Sequence, residues 1–349
     1  MTWLERLEDD AVAGLPDYVA AYFRGWAGDG DCLREGLDAW RRMRLRPTVL
    51  RDTTAISTAT TVLGVPLATP LVVAPMAQQV AAHPEGEAAT ARAVAAVGSA
   101  LGVSTNTAVP FARIAAAGAP WWYQVYVMRD RDLTRRLVER AAAAGARALV
   151  LTVDTTALAP ALPGIEPVDW PPGPARARVT NLTPDELRAA ARDDLRTAQD
   201  LTPDVIGWLR DVGGLPVVAK GVLSARDARR CVDAGAAGVV VSTHGGRRCG
   251  VSITSAEALP AVVAEVGDEV EVHVDSGIRA GWHAVAALAL GARAVHVGRP
   301  VLWGLASGGA DGVRAVLERL QAELVATLLQ LGVAHPGDLG PDDVVVRPG

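Results

Sequence analysis

The stretch VEVHVDSGIRAGWHAVAALALGARAVHVGRP, residues 270–300, decides the fold. Val270 to Asp275 form a short β-branched run, AGWHAVAALALGA places apolar residues at helical spacing, and Ala294 to Val297 return to a β-branched run. Two short strands around one Ala-rich helix imply parallel strands joined by a crossover. Both strands end in glycine and arginine, as Gly277 with Arg279 and Gly298 with Arg299, a combination suited to a phosphate held by backbone N–H groups and a guanidinium.

The same alternation runs back to residue 70. Six further runs precede these two: Leu71 to Met76, Ala100 to Thr105, Trp122 to Val127, Ala148 to Asp154, Pro216 to Lys220 and Gly238 to Ser242. EGEAATARAVAAVG, DRDLTRRLVERAAAAGA and SARDARRCVDAGA fill gaps between them at helical spacing. Eight strands with intervening helices close most naturally into a (β/α)8 TIM barrel, an α/β fold. A doubly wound open sheet would need a glycine-rich dinucleotide turn after its first strand, and AAHPEGEAAT after Met76 is not one.

The 349 residues are read as a single barrel domain with decoration. Residues 1–47 form an N-terminal helical arm, with amphipathic helices expected around 3–24 and 31–43. Residues 48–69 read as a hairpin at the barrel floor, and 70–349 as the barrel. A Pro-rich loop over 155–202 is short of regular periodicity, and a last helix is expected from about Gly312 to Gly332.

A net charge of −5 without long single-sign runs gives no footprint for nucleic acid or an anionic membrane. The acidic start MTWLERLEDD does not read as a signal peptide, and no window of about 18 apolar residues suggests a span. Cys32, Cys231 and Cys249 lack the spacing of a metal or redox motif, so no metal is expected and a reducing cytoplasm fits best. Of the 34 basic residues only Lys220 is a lysine, which implies that its position requires a compact ammonium.

Barrel active sites gather at the C-terminal ends of the strands. Those ends supply Gln124 and Tyr126 from the third run, Thr152 and Asp154 from the fourth, and Lys220 from the fifth. The sixth supplies Ser242, His244 and Arg247, the seventh Asp275, Gly277 and Arg279, and the eighth Gly298 and Arg299. The sole lysine therefore shares one mouth with a dense polar set.

In order along the chain, VVAPMA, AHPEGE, QVYV, LTVDT, VAKGV, VSTHGGR, VDSGIRAG and ALGARAVHVGRP resemble the motifs of the FMN-dependent 2-hydroxy acid oxidase and dehydrogenase family, which includes glycolate and lactate oxidases. The resemblance implies FMN as cofactor, a small-molecule substrate and a homo-oligomer, commonly a tetramer. It implies that Lys220 lies by the flavin N1/O2 edge. Ala74, Ser104, Gln124, Thr152 and Ser242 would contact the isoalloxazine and ribityl parts, with Asp275, Gly277, Arg279, Gly298 and Arg299 around the ribityl and phosphate. His244 would be the base that takes the substrate's proton, Asp154 would steady the imidazolium, Arg247 would grip the carboxylate, and Tyr126 and Tyr22 would supply hydroxyls.

The pattern breaks in four places. Thr243 and Ser276 stand where the family often has Asn and Gly. Where the family places a second carboxylate-binding arginine, anchoring on Thr152 gives Ala161 and anchoring on Pro171 and Pro172 gives Pro160; neither binds an anion. Arg176 or Arg178 is a candidate replacement. Asn106 stands where many relatives have a tryptophan, with Trp121, Trp122 and Trp170 as candidates for an aromatic wall. The missing arginine motivates an alternative chemistry: FMN-dependent oxidation of an amine or amino acid, or oxidative decarboxylation, in specialised metabolism.

Overall fold

The structure, a computed structural model, describes residues 1–155 and 179–347. Pro160, Ala161, Trp170, Pro171, Pro172, Arg176 and Arg178 lie outside the described residues.

Three helices open the chain: α1 (Trp3–Gly14), α2 (Asp17–Arg24) and α3 (Asp31–Arg42). The continuous helix expected over 3–24 is thus two. Pro16 breaks it, because proline has no N–H to continue the ladder and pushes the preceding residue toward extended backbone; Leu15 sits at φ −96°, ψ 149°. After β1 (Met43–Leu45), strands β2 (Thr60–Val62) and β3 (Val65–Leu67) pair antiparallel as a hairpin. β1 pairs antiparallel with β12 (Val344–Val346), tying the arm to the far end of the chain.

The eight runs are strands β4 (Leu71–Met76), β5 (Leu101–Ser104), β6 (Trp121–Val125), β7 (Leu149–Thr152), β8 (Val217–Val222), β9 (Gly238–Val241), β10 (Glu271–Val274) and β11 (Ala294–Val297). They close into a parallel barrel in sequence order, β11 pairing with β4, inside surrounding helices. This is a (β/α)8 TIM barrel preceded by N-terminal helices. Helix α8 (Pro184–Ala189) lies within the segment expected to lack regular structure; Thr183 and Glu186 form a capping box that starts it. The final helix, α13 (Arg299–Leu331), begins earlier than expected and is kinked where Gly308 and Gly309 leave helical geometry. Among the described residues no helix is long and apolar enough to cross a membrane.

Strand alternation sorts the barrel side chains into two sets. Leu71, Val73, Leu149, Leu151, Val239, Val241, Val295 and Val297 join the core shared with the helices. Val72, Trp122 and Val150 join a separate cluster with Ala100, Ala148, Ala294 and the hairpin residues Val62, Val65 and Leu67, which therefore close the floor. Trp121 packs on Phe111 at 5.4 Å, and Trp122 lies inside the barrel beside His273 and His296, so neither forms a wall at the mouth. His273 Nδ1 and His296 Nε2 are 3.1 Å apart.

Two or four residues beyond that inner layer, the same alternation turns Ala74, Ser104, Gln124, Thr152, Lys220, Ser242, Asp275 and Gly298 toward the mouth. The candidate site is thus built from inward positions at or just past the C-terminal ends of the eight strands. A shift of one residue in any run would have sent that side chain to the helices instead.

Candidate active site

Lys220 and Asp275 face each other from β8 and the end of β10. Their ammonium and carboxylate are 2.7 Å apart, with only 5% and 8% of the side chains exposed. Lys220 also donates to Ser242 Oγ at 2.8 Å. Burial works against the ammonium, but Asp275 and Asp154 outweigh it and hold the lysine's pKa above its ordinary value. Asp275, expected around the ribityl and phosphate, is first of all the partner of this lysine. Its other oxygen accepts from Ser276 Oγ at 2.6 Å.

Ser276 stands at φ 72°, in the left-handed region where the resembling family has glycine. Its hydroxyl also accepts from the backbone N–H groups of Thr243 and Gly245 at 3.2 and 3.0 Å, so the serine pins the loop carrying His244 to the loop after β10. That loop turns back sharply, because His244, Gly245 and Gly246 all have positive φ, at 55°, 67° and 73°.

The loop brings His244 Nδ1 within 3.0 and 3.2 Å of the two Asp154 oxygens, and His244 Nε2 within 3.5 Å of the Tyr126 hydroxyl. Burial opposes charge on Asp154, yet His244, Lys220 and Arg248 together hold its carboxyl down at about 2. Burial lowers the His244 pKa, against the opposing pull of Asp154. The ring is therefore neutral at neutral pH, held at Nδ1 by a carboxylate and facing the Tyr126 hydroxyl at Nε2. Gly221, beside Lys220, makes this possible: at φ 110°, any Cβ there would stand 2.6 Å from the Asp154 carboxyl group.

Gln124 ties the other wall together. Its carbonyl oxygen accepts from Ser104 Oγ at 3.1 Å and its amide donates to Thr152 Oγ1 at 2.8 Å. Asn106 donates its backbone N–H to Ser104 Oγ. Ala74 and Gly298 face each other without large side chains; a Cβ on Gly298 would meet Met76 Sδ at 3.7 Å and Ala74 Cβ at 3.9 Å, both ordinary van der Waals contacts.

The helical arm completes the mouth. Arg247 donates to the Tyr22 and Gly25 carbonyls at 2.8 and 2.9 Å, and its guanidinium lies 5.1 Å from the centre of the Tyr22 ring. Arg299 donates to the carbonyls of Phe23, Gly245 and Gly25, and Arg279 to that of Ile278. Gly277 lies against the Gly36 carbonyl and Trp40 of α3, where a side chain has no room. Among the described residues, Arg279 and Arg299 find carbonyl partners but no carboxylate. Burial, joined for Arg299 by repulsion from Arg279 and Arg247, lowers their pKa values to about 10 and about 9. Two half-buried guanidiniums with no carboxylate in ion-pair contact among the described residues, and only Glu8 acting on them as an opposing charge, fit the phosphate of FMN beside two glycine turns, and the small residues Ala74 and Gly298 suit the approach of a flat ring.

Arg248 was not among the residues singled out from the sequence. It lies beside the Tyr126 hydroxyl, and its charge bears on Asp154, His244 and Arg247. The signal was present as an arginine doublet after HisGlyGly, but the family motif directs attention to its first member alone.

A closed parallel barrel that joins a buried lysine and a carboxylate-held histidine at one mouth, beside phosphate-ready arginines, defines an FMN-dependent oxidoreductase of 2-hydroxy acids. Comparison with known proteins agrees: the chain belongs to the FMN-dependent dehydrogenase family, which matches residues 11–346. It is 43% identical over 350 residues to an L-lactate oxidase of Nostoc sp., covering 95% of this chain and 94% of that one. It is 39% identical over 331 residues to a 4-hydroxymandelate oxidase of Amycolatopsis orientalis, covering 92% of each. Its fold superimposes on a soluble mutant of the membrane-associated (S)-mandelate dehydrogenase from Pseudomonas putida with TM-score 0.85 and 31% identity, covering 99% of both chains. These relatives are named for 2-hydroxy acids, and the alternative of amine oxidation or decarboxylation gains no support from them.

Proposed function

We propose that the chain oxidises the α-carbon of an (S)-2-hydroxy acid to the 2-oxo acid, with His244 as the base. The observation that carries this reading is the His244 ring, held by Asp154 at Nδ1 and presented to the Tyr126 hydroxyl at Nε2. FMN, when bound, supplies the oxidant that takes the hydrogen and electron pair from the α-carbon.

The residues divide the remaining work. Neutral His244 receives the substrate's proton at Nε2, and Asp154 holds the resulting imidazolium in place and offsets its charge. Arg247 binds the carboxylate, while Tyr126 and Tyr22 orient the hydroxyl and carboxylate. Lys220 would hold a positive charge beside the bound cofactor and so favour its reduced, electron-rich form. Its geometry explains why arginine cannot replace it: the ammonium fits between Ser242 and Asp275, where a planar guanidinium would not. Ala74, Ser104, Gln124, Thr152 and Ser242 hold the ring and ribityl chain, and Gly277, Arg279, Gly298 and Arg299 the phosphate.

Lactate and mandelate are the substrate types that the relatives suggest. Asn106 in place of tryptophan favours a roomier cavity, and with it an aryl-bearing acid of specialised metabolism. We further assign the protein to the cytoplasm as a homo-oligomer, one barrel domain per chain. The test is product formation: the purified holoprotein is incubated with (S)-lactate, glycolate and (S)-mandelate, and the 2-oxo acid is identified by mass. Formation of at least one 2-oxo acid is expected. No 2-oxo acid from any of the three would reject the reading.

A further inference from the structure

The mouth holds one more cation than the proposed roles use. Arg248 follows Arg247 directly, and on a regular strand two successive side chains would point to opposite faces. Here the left-handed run His244, Gly245 and Gly246 turns the chain back, and the charges of both arginines bear on Tyr126 and on each other. Arg247 is anchored by two backbone carbonyls and the Tyr22 ring. Arg248 lies beside the Tyr126 hydroxyl, and its Nε is buried without a hydrogen-bond partner among the described residues.

A buried donor left unmatched is unfavourable, and two guanidiniums side by side repel each other. No carboxylate among the described residues pairs with either. An anion between them relieves both penalties. After Asp154 the sequence supplies no basic residue until Arg176.

We propose that Arg248 is a specificity-determining residue that binds the substrate carboxylate opposite Arg247, so that adjacent residues of one loop form a two-sided anion clamp. This rests on the proposed oxidation of 2-hydroxy acids, and it deepens that reading by naming the group that selects acids over neutral analogues. A guanidinium aimed at a carboxylate makes charge-assisted hydrogen bonds that a neutral amide cannot replace. Because Arg248 also touches Tyr126, it fixes the carboxylate next to the hydroxyl that faces His244.

Two measurements on the holoprotein test the clamp, using R248Q, R248A and R248K with FMN content and melting temperature checked for each. The first compares KM and kcat for (S)-mandelate and the neutral (S)-mandelamide. The second is the dissociation constant of oxalate, a non-oxidisable dianion, followed through the visible flavin spectrum. In R248Q and R248A, the KM for mandelate and the oxalate dissociation constant should rise about 10- to 100-fold. The KM for mandelamide should change less than about threefold, and R248K should recover part of the loss for the anions. Equal losses for acid and amide, or oxalate binding unchanged in both variants, would overturn the proposal. The oxalate measurement needs no turnover, so it judges the clamp even if no 2-hydroxy acid is oxidised and the function itself fails.

Discussion

His244 is a base because of what surrounds it. Burial disfavours the imidazolium and lowers its pKa, while Asp154 pulls in the opposite direction. The ring is active when neutral, so activity is full above its pKa and is lost as pH falls through it. The acid limb of kcat/KM should therefore lie below the ordinary histidine value of about 6.5. Asp154→Asn removes the group that raises this pKa and stabilises the imidazolium. It should move the acid limb to still lower pH and reduce kcat by about 10²- to 10⁴-fold, as a pH profile of the variant will show. Lys220 gives a second prediction. Lys220→Met leaves the buried Asp275 carboxylate without its partner and should destabilise the fold by about 3–5 kcal/mol in urea unfolding, whereas the double variant with Asp275→Asn should recover much of that loss. The lysine's importance was legible from composition alone. Its pairing with Asp275 was not, because which strand ends meet across the barrel depends on registers that the sequence does not state.

Among the elements, the loops after the strands decide whether the residues meet. Gly221, next to Lys220 near the end of β8, lies against Asp154. Gly221→Ala adds a Cβ at φ 110°, where it collides with the carboxylate that holds His244. Displacement by about 1 Å is enough to lower kcat by about 10²-fold, and the visible spectrum should still report bound FMN. The strands themselves were readable as β-branched runs because they are buried on both faces, and all eight lie where the runs predicted, within a residue or two at their ends. Helix ends were less legible. Pro16 splits the first helix, the capping box of Thr183 and Glu186 makes a helix in a Pro-rich region, and α13 starts at Arg299, ahead of the expected Gly312, with a kink at Gly308 and Gly309. Each depends on a local hydrogen bond or tertiary packing that periodicity does not record. Arg248 escaped notice for a similar reason: a left-handed turn precedes it, and the sequence does not state that its charge meets Arg247 and Tyr126.

At the scale of the whole molecule, the N-terminal arm and the barrel build one site. Arg247 and Arg299 reach from the barrel to the backbone of α2 and the turn after it, and Trp40 of α3 donates to the Ser276 carbonyl at 2.9 Å. A ligand that engages Arg279 and Arg299 therefore braces the arm as well. Protein stripped of FMN should melt at a lower temperature, and FMN at about 100 times its dissociation constant should restore about 2.7 kcal/mol of stability. Riboflavin, which lacks the phosphate, should restore much less; equal rescue by both, followed by scanning calorimetry, would remove the arginines from the phosphate site. The central claim is that His244 takes the proton when the α-carbon of a 2-hydroxy acid is oxidised. The most direct measurement is anaerobic single-turnover bleaching of the flavin by α-protiated and α-deuterated (S)-2-hydroxy acid, in the wild-type protein and in His244→Asn with FMN bound. The account predicts bleaching slowed by deuterium in the wild type and reduced by at least about 10²-fold in the variant; bleaching at the wild-type rate in His244→Asn would contradict it.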